Sequence, residues 1–376
     1  MIYWDNNSTT PCAPEVVEAM RPYWNEEYGN PSSSHLMGRR AARAVAKARQ
    51  QVARLSNALE HEIIFTGGAT ESNNLLFLGI LLSPPDKKRR RIVISSVEHK
   101  AVLDPAALLA EHGFEIVKLP VDATGKVDIK QAKALITEET LLVSVQTANN
   151  ELGTLQPVRE LSDIAHENGA YFHTDAAQAL GKVPFDVQEI NCDVASFSAH
   201  KLYGPKGVGG LFVRGGAKRW PWARPFQGGG QEGGLRPGTS NVPGIIGFGE
   251  ACRMAEAQLQ ERVNTLRAQS ASFVEQLKKE VPELILNNDL QNSLPGTLSI
   301  AIPDIPADLL IAQGKKLCFS KGSACNGAID VSHVVHEILK DSSYKESVVR
   351  ISLGLHSSLH DLNDFVEVIR TVRSKF

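Results

Sequence analysis

The chain has 376 residues, 42% hydrophobic and 22% charged, which is ordinary globular composition and enough length for two or three units of usual domain size. A formal net charge of −2 gives no bulk electrostatic case for binding nucleic acid or an acidic membrane. No apolar run approaches the roughly 20 residues of a membrane helix, and Met1-Ile2-Tyr3-Trp4-Asp5 has neither a basic nor an apolar leader region, so no membrane contact and no signal peptide are expected.

From about residue 60 onward, short apolar runs alternate with amphipathic stretches. Residues 63–65 read as a strand, 75–82 as part of a helix and 92–94 as a strand. The basic run 87–91 follows Pro84-Pro85 and reads as a solvated turn. Residues 101–112 suit a helix, 114–119 and 141–145 strands, and 158–168 a helix that Gly169 stops. Residues 170–173, 194–197 and 210–213 are further strands. Such alternation predicts an α/β architecture with a largely parallel sheet. Beyond Pro243 the pattern changes. Residues 245–279 read as one long helix, whole or broken, and prolines 282, 295, 303 and 306 then punctuate shorter segments. Strands at 297–302 and 348–353 and a helix at 362–373 predict a second, smaller α+β unit.

There are five cysteines, Cys12, Cys192, Cys252, Cys318 and Cys325, and none forms a CxxC pair. Neither a zinc site nor a disulfide framework is expected, and a reducing, cytoplasmic setting is. The first four read as small buried hydrophobes. Cys325 differs, because Ser320-Lys321-Gly322-Ser323-Ala324-Cys325-Asn326-Gly327-Ala328 holds few side chains that could fix a helix or a core, so its thiol is expected to be exposed.

Chemistry concentrates where strands end. Lys201, in Ser198-Ala199-His200-Lys201 with Gly204-Pro205-Lys206-Gly207 behind it, follows the strand at 194–197. Ligands of open α/β sheets collect at that edge, and a lysine there suits Schiff-base chemistry. Asp175 ends the preceding strand and could pair with a protonated ring nitrogen. Gln178, one helical turn on, could hydrogen-bond a ring oxygen; a helix-capping aspartate beside an exposed glutamine is the plain alternative. Gly67-Gly68-Ala69-Thr70-Glu71-Ser72-Asn73-Asn74 lies between a strand and a helix, with bare amides and the Thr70 hydroxyl suited to a small phosphate, or with residues 70–73 as an ordinary helix cap. His99 follows the strand at 92–94 and could stack on a ring and move protons, or be solvated. Asn149-Asn150-Glu151-Leu152-Gly153 could offer amides to a ligand or form a turn.

These motifs, taken in order with Arg236-Pro237-Gly238-Thr239 and Arg350-Ile351-Ser352-Leu353-Gly354, resemble the cysteine desulfurases of the NifS/IscS type, which are class-V aminotransferase-like enzymes using pyridoxal 5'-phosphate (PLP). The resemblance spans essentially the whole chain, from Asp5-Asn6-Asn7-Ser8-Thr9-Thr10 onward. It implies the PLP-transferase fold type I, with a large PLP-binding domain at 13–255 and a small domain of 1–12 and 256–376 carrying the Cys325 loop.

It also implies roles. Lys201 would hold the cofactor and act on the substrate Cα, Asp175 would pair with the ring nitrogen, Gln178 with the phenolic oxygen, and His99 would stack on the ring. Ala69, Thr70, Ser198 and His200 would bind the phosphate, joined by Thr239 from a second subunit, so a homodimer with shared active sites follows. Asn30, Asn150 and Arg350 would position L-cysteine, with Asn150 also near the cofactor. Cys325 would take the sulfur as a persulfide, release alanine and pass the sulfur to an acceptor protein, His99 being a candidate for its proton. Iron–sulfur cluster assembly, tRNA thiolation, DNA modification and cofactor synthesis remain open as destinations. A PLP-dependent β-lyase, selenocysteine lyase or aminotransferase, and a non-catalytic PLP-binding partner of a sulfur-transfer complex, are the alternatives.

Overall fold

The computed structural model describes residues 1–321, 331–340 and 342–375. The chain starts with β1 (Ile2–Tyr3), two short helices α1 (Pro14–Met20) and α2 (Pro22–Asn25), and the 21-residue α3 (Leu36–Ser56). Prolines start α1 and α2, where a missing N–H leaves no bond unmade. Helix α3 lies outside the alternation that begins near residue 60. It buries Ala41, Val45, Ala48, Val52 and Leu55 along one face and ends on Asn57 in the left-handed region, φ 52.

The alternating stretch forms β2 (Ile63–Thr66), α4 (Ala69–Leu82), β3 (Arg91–Ser95), α5 (Lys100–Glu111), β4 (Glu115–Leu119), α6 (Ile129–Leu135), β5 (Thr140–Ser144), α7 (Val158–Glu167), β6 (Tyr171–Asp175), α8 (Val187–Ile190), β7 (Val194–Ser198) and β8 (Gly209–Val213). The strands make one seven-stranded sheet of order β2-β8-β7-β6-β5-β3-β4. Strands β4, β3, β5, β6 and β7 are mutually parallel, and β8 runs antiparallel to both β7 and β2. This is the α/β architecture that the pattern predicts. Alternate residues face opposite layers: Val93, Val143 and Phe172 join one core, while Ile92, Ile94 and Leu142 join the other. Both faces are covered, so the central strands β5, β6 and β7 are buried along nearly their whole length rather than on alternate residues.

The basic run is the expected solvated turn at Lys87, Lys88 and Arg90, which are exposed, but Arg89 and Arg91 make specific contacts. Arg89 donates from Nη1 to the carbonyls of Asn168 (3.1 Å) and Gly169 (2.6 Å), and Arg91 pairs with Glu115 and Glu139. These residues close the C-terminal end of α7 and the sheet edge.

The rest of the chain is α9 (Val242–Glu280), β9 (Ile285–Leu286), β10 (Thr297–Ala301), α10 (Ala307–Gln313), β11 (Leu317–Cys318), α11 (His333–Ile338), β12 (Val348–Ser352) and α12 (Leu362–Arg373). Helix α9 is a single element of 39 residues. It gives Phe248, Cys252 and Ala255 to the large core and Phe273, Val274 and Leu277 to a second core. In that second core β10 lies between β12 and β9, antiparallel to both. The N-terminus belongs here as well, because β1 pairs parallel with β11. Trp4, fully buried, meets Phe273 and Phe365 edge-on at 5.3 and 6.1 Å.

Trp4→Ala should cost about 3–5 kcal/mol of unfolding free energy, because it opens a cavity between α9 and α12. Trp4→Phe should cost markedly less. Equal denaturation midpoints for Trp4→Ala and the wild type would show that the N-terminal anchor is dispensable.

Candidate active site

Because β3, β5, β6 and β7 are parallel, their C-terminal ends share one edge of the sheet. A cavity of about 630 Å³ opens there. It is lined by Ala69 and Thr70 from the start of α4, His99 after β3, Asn150 after β5, Asp175 and Gln178 at and beyond the end of β6, and Ser198, His200 and Lys201 after β7. Arg350 reaches it from β12, and Asn7, Ser8 and Thr9 from the N-terminal segment. Ten of the predicted residues thus converge. Asn30 and Thr239 do not: both are exposed and outside this cavity, and Asn30 Oδ1 instead accepts from the Ser32 amide at 2.9 Å. Cys325 lies outside the described residues.

Strand β7 runs directly into a single 3-10 turn, Ala199–Lys201, which turns Lys201 back toward the N-terminal segment. Its Nζ donates to the carbonyls of Asn7 (2.6 Å) and Ser8 (2.8 Å). On the neighbouring strand Asp175 is 7% exposed. Its Oδ2 accepts from Asn73 Nδ2 at 2.8 Å and its Oδ1 from the Ala177 amide at 3.0 Å. Asp175 therefore caps a turn, not the helix of the plain alternative, whose exposed glutamine is also absent since Gln178 is 6% exposed, and it lines the cavity. Asn73, on α4, orients the carboxylate, and its only sequence cue is the register of α4 behind the glycines.

The start of α4 is shaped for an anion. Gly68 takes φ 148, a region side chains avoid, so the chain turns directly into a 14-residue helix whose first amides lack a capping side chain. Opposite it, a Cβ on Gly209 would sit 2.7 Å from the Gly68 Cα, so the close approach of β8 needs glycine. His200 lines the same end, with Nδ1 3.0 Å from Thr9 Oγ1. Burial, reinforced by Lys201, Lys206 and Lys182, pushes His200 down to about 4, so its ring is neutral near pH 7.

His99 caps α5: its Nδ1 accepts from the Ala101 amide at 3.1 Å. Burial holds it below the ordinary histidine range. With Nδ1 spent as an acceptor, the neutral ring carries its proton on Nε2 and offers a donor to the cavity. Beside it, buried Glu98 accepts at Oε1 from Ser95 Oγ (2.5 Å) and the Gln146 amide (2.8 Å), while Oε2 has no partner. Desolvation pushes Glu98 up to about 8 despite those two bonds. In the segment 149–153 the turn reading holds for Asn149, whose Oδ1 accepts from the amides of Glu151 and Leu152, both at 2.8 Å.

Arg350 is 2% exposed. Its Nη2 donates to Asp5 Oδ1 and Ser8 Oγ, both 2.6 Å, and its Nη1 to the Asn150 carbonyl at 2.9 Å. Its Nε is buried without a partner among the described residues. Nε–H and one Nη1 hydrogen are thus the donors left on a guanidinium already held in place beside the cavity. Asp5, Asn7 and Ser8 have no local signal of a site, because only the pairing of β1 with β11 and the bridge from Asp5 to Ser352 bring them here.

The residues fit pyridoxal 5'-phosphate. An amine, an opposed carboxylate, a donor-rich helix start built on Gly68 and an arginine with an unpartnered Nε all face one cavity. A lysine and an aspartate at the ends of adjacent parallel strands, with a glycine cradle beside them, define a class-V aminotransferase-like protein, and the model of the family described as aminotransferase class-V matches residues 2–365. The cysteine desulfurase IscS of Dictyoglomus turgidum is 40% identical over 377 residues, spanning 100% of this chain and 95% of that one. A solved NifS-like protein superposes with a TM-score of 0.91 at 36% identity, covering 100% of both chains. The structure of SspA in complex with cysteine matches with a TM-score of 0.82 at 35% identity, covering 95% of this chain and 100% of that one. The chain belongs to the class-V aminotransferase family, in its cysteine desulfurase branch.

Glu98 generates a pH test. Its pKa rises on folding from 4.5 to about 8, so between those values the folded protein keeps a proton that the unfolded chain has lost. Stability from this group is therefore full at low pH and falls as pH rises toward 8. Glu98→Gln keeps an acceptor for Ser95 and Gln146 but cannot ionise. The melting temperature of the variant minus that of the wild type should become more positive from pH 5 to pH 9, and a constant difference would refute the assignment.

Proposed function

We propose that the protein is a PLP-dependent L-cysteine desulfurase that takes the sulfur of L-cysteine onto Cys325 and releases L-alanine. The observation that carries this reading is the convergence of Lys201, Asp175 and Arg350 on one cavity beside the Gly68 turn. Lys201 would hold the cofactor, Asp175 would face the ring nitrogen, and His99 would lie against the ring. Ala69, Thr70, Ser198 and His200 would hold the phosphate, and Gln178 the phenolic oxygen. When bound, the cofactor supplies an electron sink for charge developing at the substrate Cα.

The chain's own groups do the rest. Arg350, braced by Asp5, Ser8 and the Asn150 carbonyl, grips the substrate carboxylate through its remaining donors. Lys201, once it gives up its place on the cofactor, finds acceptors in the Asn7 and Ser8 carbonyls, and its amine moves the Cα proton. Neutral His99 presents Nε2–H as an acid; to take the proton of Cys325 at Nδ1 it would first have to release the Ala101 amide. The Cys325 thiolate attacks the substrate sulfur, the carbon–sulfur bond breaks, and its electron pair stays with the carbon skeleton that becomes alanine. The persulfide then passes to an acceptor protein, for which iron–sulfur cluster assembly is our first assignment.

A homodimer with shared active sites accounts for Thr239, which stands exposed away from its own chain's cavity. The free state of Cys12, Cys192, Cys252 and Cys318 supports a reducing cytoplasmic setting.

The deciding assay is L-cysteine turnover with alanine, sulfide and pyruvate all quantified. Wild type should make alanine, and Cys325→Ala should keep the visible absorbance of bound cofactor while losing turnover. Sulfide with pyruvate from the Cys325→Ala variant would make the protein a lyase instead. Lys201→Ala should abolish the wild-type cofactor spectrum. Arg350→Ala should raise KM for L-cysteine roughly 10- to 150-fold, the worth of a lost charge-assisted contact; an unchanged KM would place the carboxylate elsewhere.

A further inference from the structure

Gln178 lines the cavity, but its amide is engaged on both ends. Its Nε2 donates to the Asn7 carbonyl at 2.8 Å, and its Oε1 accepts from Lys182 Nζ at 2.7 Å. Lys182 follows a turn at Gly181, φ +74, and its amide donates to the Ala179 carbonyl at 3.0 Å, so its side chain returns over the residue four positions earlier. Nζ also donates to Asn7 Oδ1 at 3.2 Å. That oxygen is itself fixed, since Asn7 Nδ2 donates to Thr297 Oγ1 (2.9 Å) and the Asn150 carbonyl (3.3 Å).

Chemistry forces the orientation of Gln178. A peptide carbonyl only accepts, so Asn7 requires an N–H of the side-chain amide and leaves Oε1 to accept from Lys182, whichever way the two ends are assigned. Nε2 carries two hydrogens. One goes to Asn7, and the other remains for the cavity. Lys182 is costly where it sits: desolvation, then Lys201 and Arg350, lower its pKa well below the ordinary lysine value, and its acceptors are amide oxygens. An amine desolvated at that cost marks a functional position.

We propose that Lys182 is a positioning residue that locks the Gln178 amide with its N–H toward the cavity, making Gln178 an obligate donor to the anionic ring oxygen of the cofactor. This rests on the PLP reading above. Without Lys182, only the Asn7 carbonyl holds the amide, and the flipped form, which sets Oε1 against both that carbonyl and the ring oxygen, is populated more than in the wild type.

The test is titration of full-length apo-protein with pyridoxal 5'-phosphate, followed by absorbance. Lys182→Met preserves side-chain length and removes a desolvated cation, so folding is not endangered. It should bind the cofactor roughly tenfold more weakly and shift the absorbance maximum of the bound form. Lys182→Arg, also donor-only, should restore both. In a Gln178→Ala background, Lys182→Met should change neither quantity further. Wild-type affinity and spectrum in Lys182→Met, or an undiminished effect in the Gln178→Ala background, would overturn the proposal. Failure of the wild type itself to take up the cofactor would instead sink the functional reading on which it rests.

Discussion

The ion pair between Asp5 and Arg350 joins three parts of the molecule that sequence keeps apart. Asp5 follows β1, Arg350 sits in β12, and the same guanidinium holds the carbonyl of Asn150 behind β5. With side-chain exposures of 2% and 20%, the pair is buried enough for desolvation to offset much of its attraction, so it is a weak source of stability and a strong source of position. If either partner were absent, the other would be a nearly buried charge without compensation. The arrangement fixes where the N-terminal segment runs, and that segment supplies the two carbonyls beside Lys201.

The cavity is donor-rich. Lys201, Arg350, the first amides of α4 and the Nε2–H of His99 face it, with Lys182 behind Gln178, while Asp175 is its buried carboxylate. A site of this kind favours a ligand that brings negative charge at two places and one basic nitrogen. Neutral histidines keep that field from growing: His200 is pushed to about 4 by burial and by the lysines around it, so it solvates an anion without adding a further cation. Glu98, held protonated by burial, avoids a second carboxylate close to Asp175. Three titratable groups beside the site, His99, His200 and Glu98, are thus kept neutral.

Residues whose role depends on a strand end were readable in the sequence. Asp175, Ser198 and Lys201 each terminate or follow an apolar run, and the cavity lies at those ends because parallel strands deliver their C-termini to one edge. Gly68, behind Gly67, announced a turn that only glycine adopts, and β10, β12 and α12 carried their own patterns. Helix α3 carried an equally regular apolar face, but it precedes the strand alternation that makes such faces easy to interpret. Asn30 and Thr239 were legible as motif positions through family resemblance alone, and their own chain does not bring them to the cavity.

The sequence by itself determined the α/β class, the long helix α9 and the chemistry-bearing side chains, since each follows from periodicity or from a residue type at a strand end. Only the tertiary structure decided the partners of those side chains. Asp5 meets Arg350 across 345 residues, Gln178 meets Asn7 across 171, and Lys201 meets Asn7 across 194. No local pattern encodes such pairings. They arise because Trp4 is buried in the second core, with Ile2 packed against it and β1 paired to β11, and the hydrophobic effect that places them there is indifferent to which polar groups are carried along.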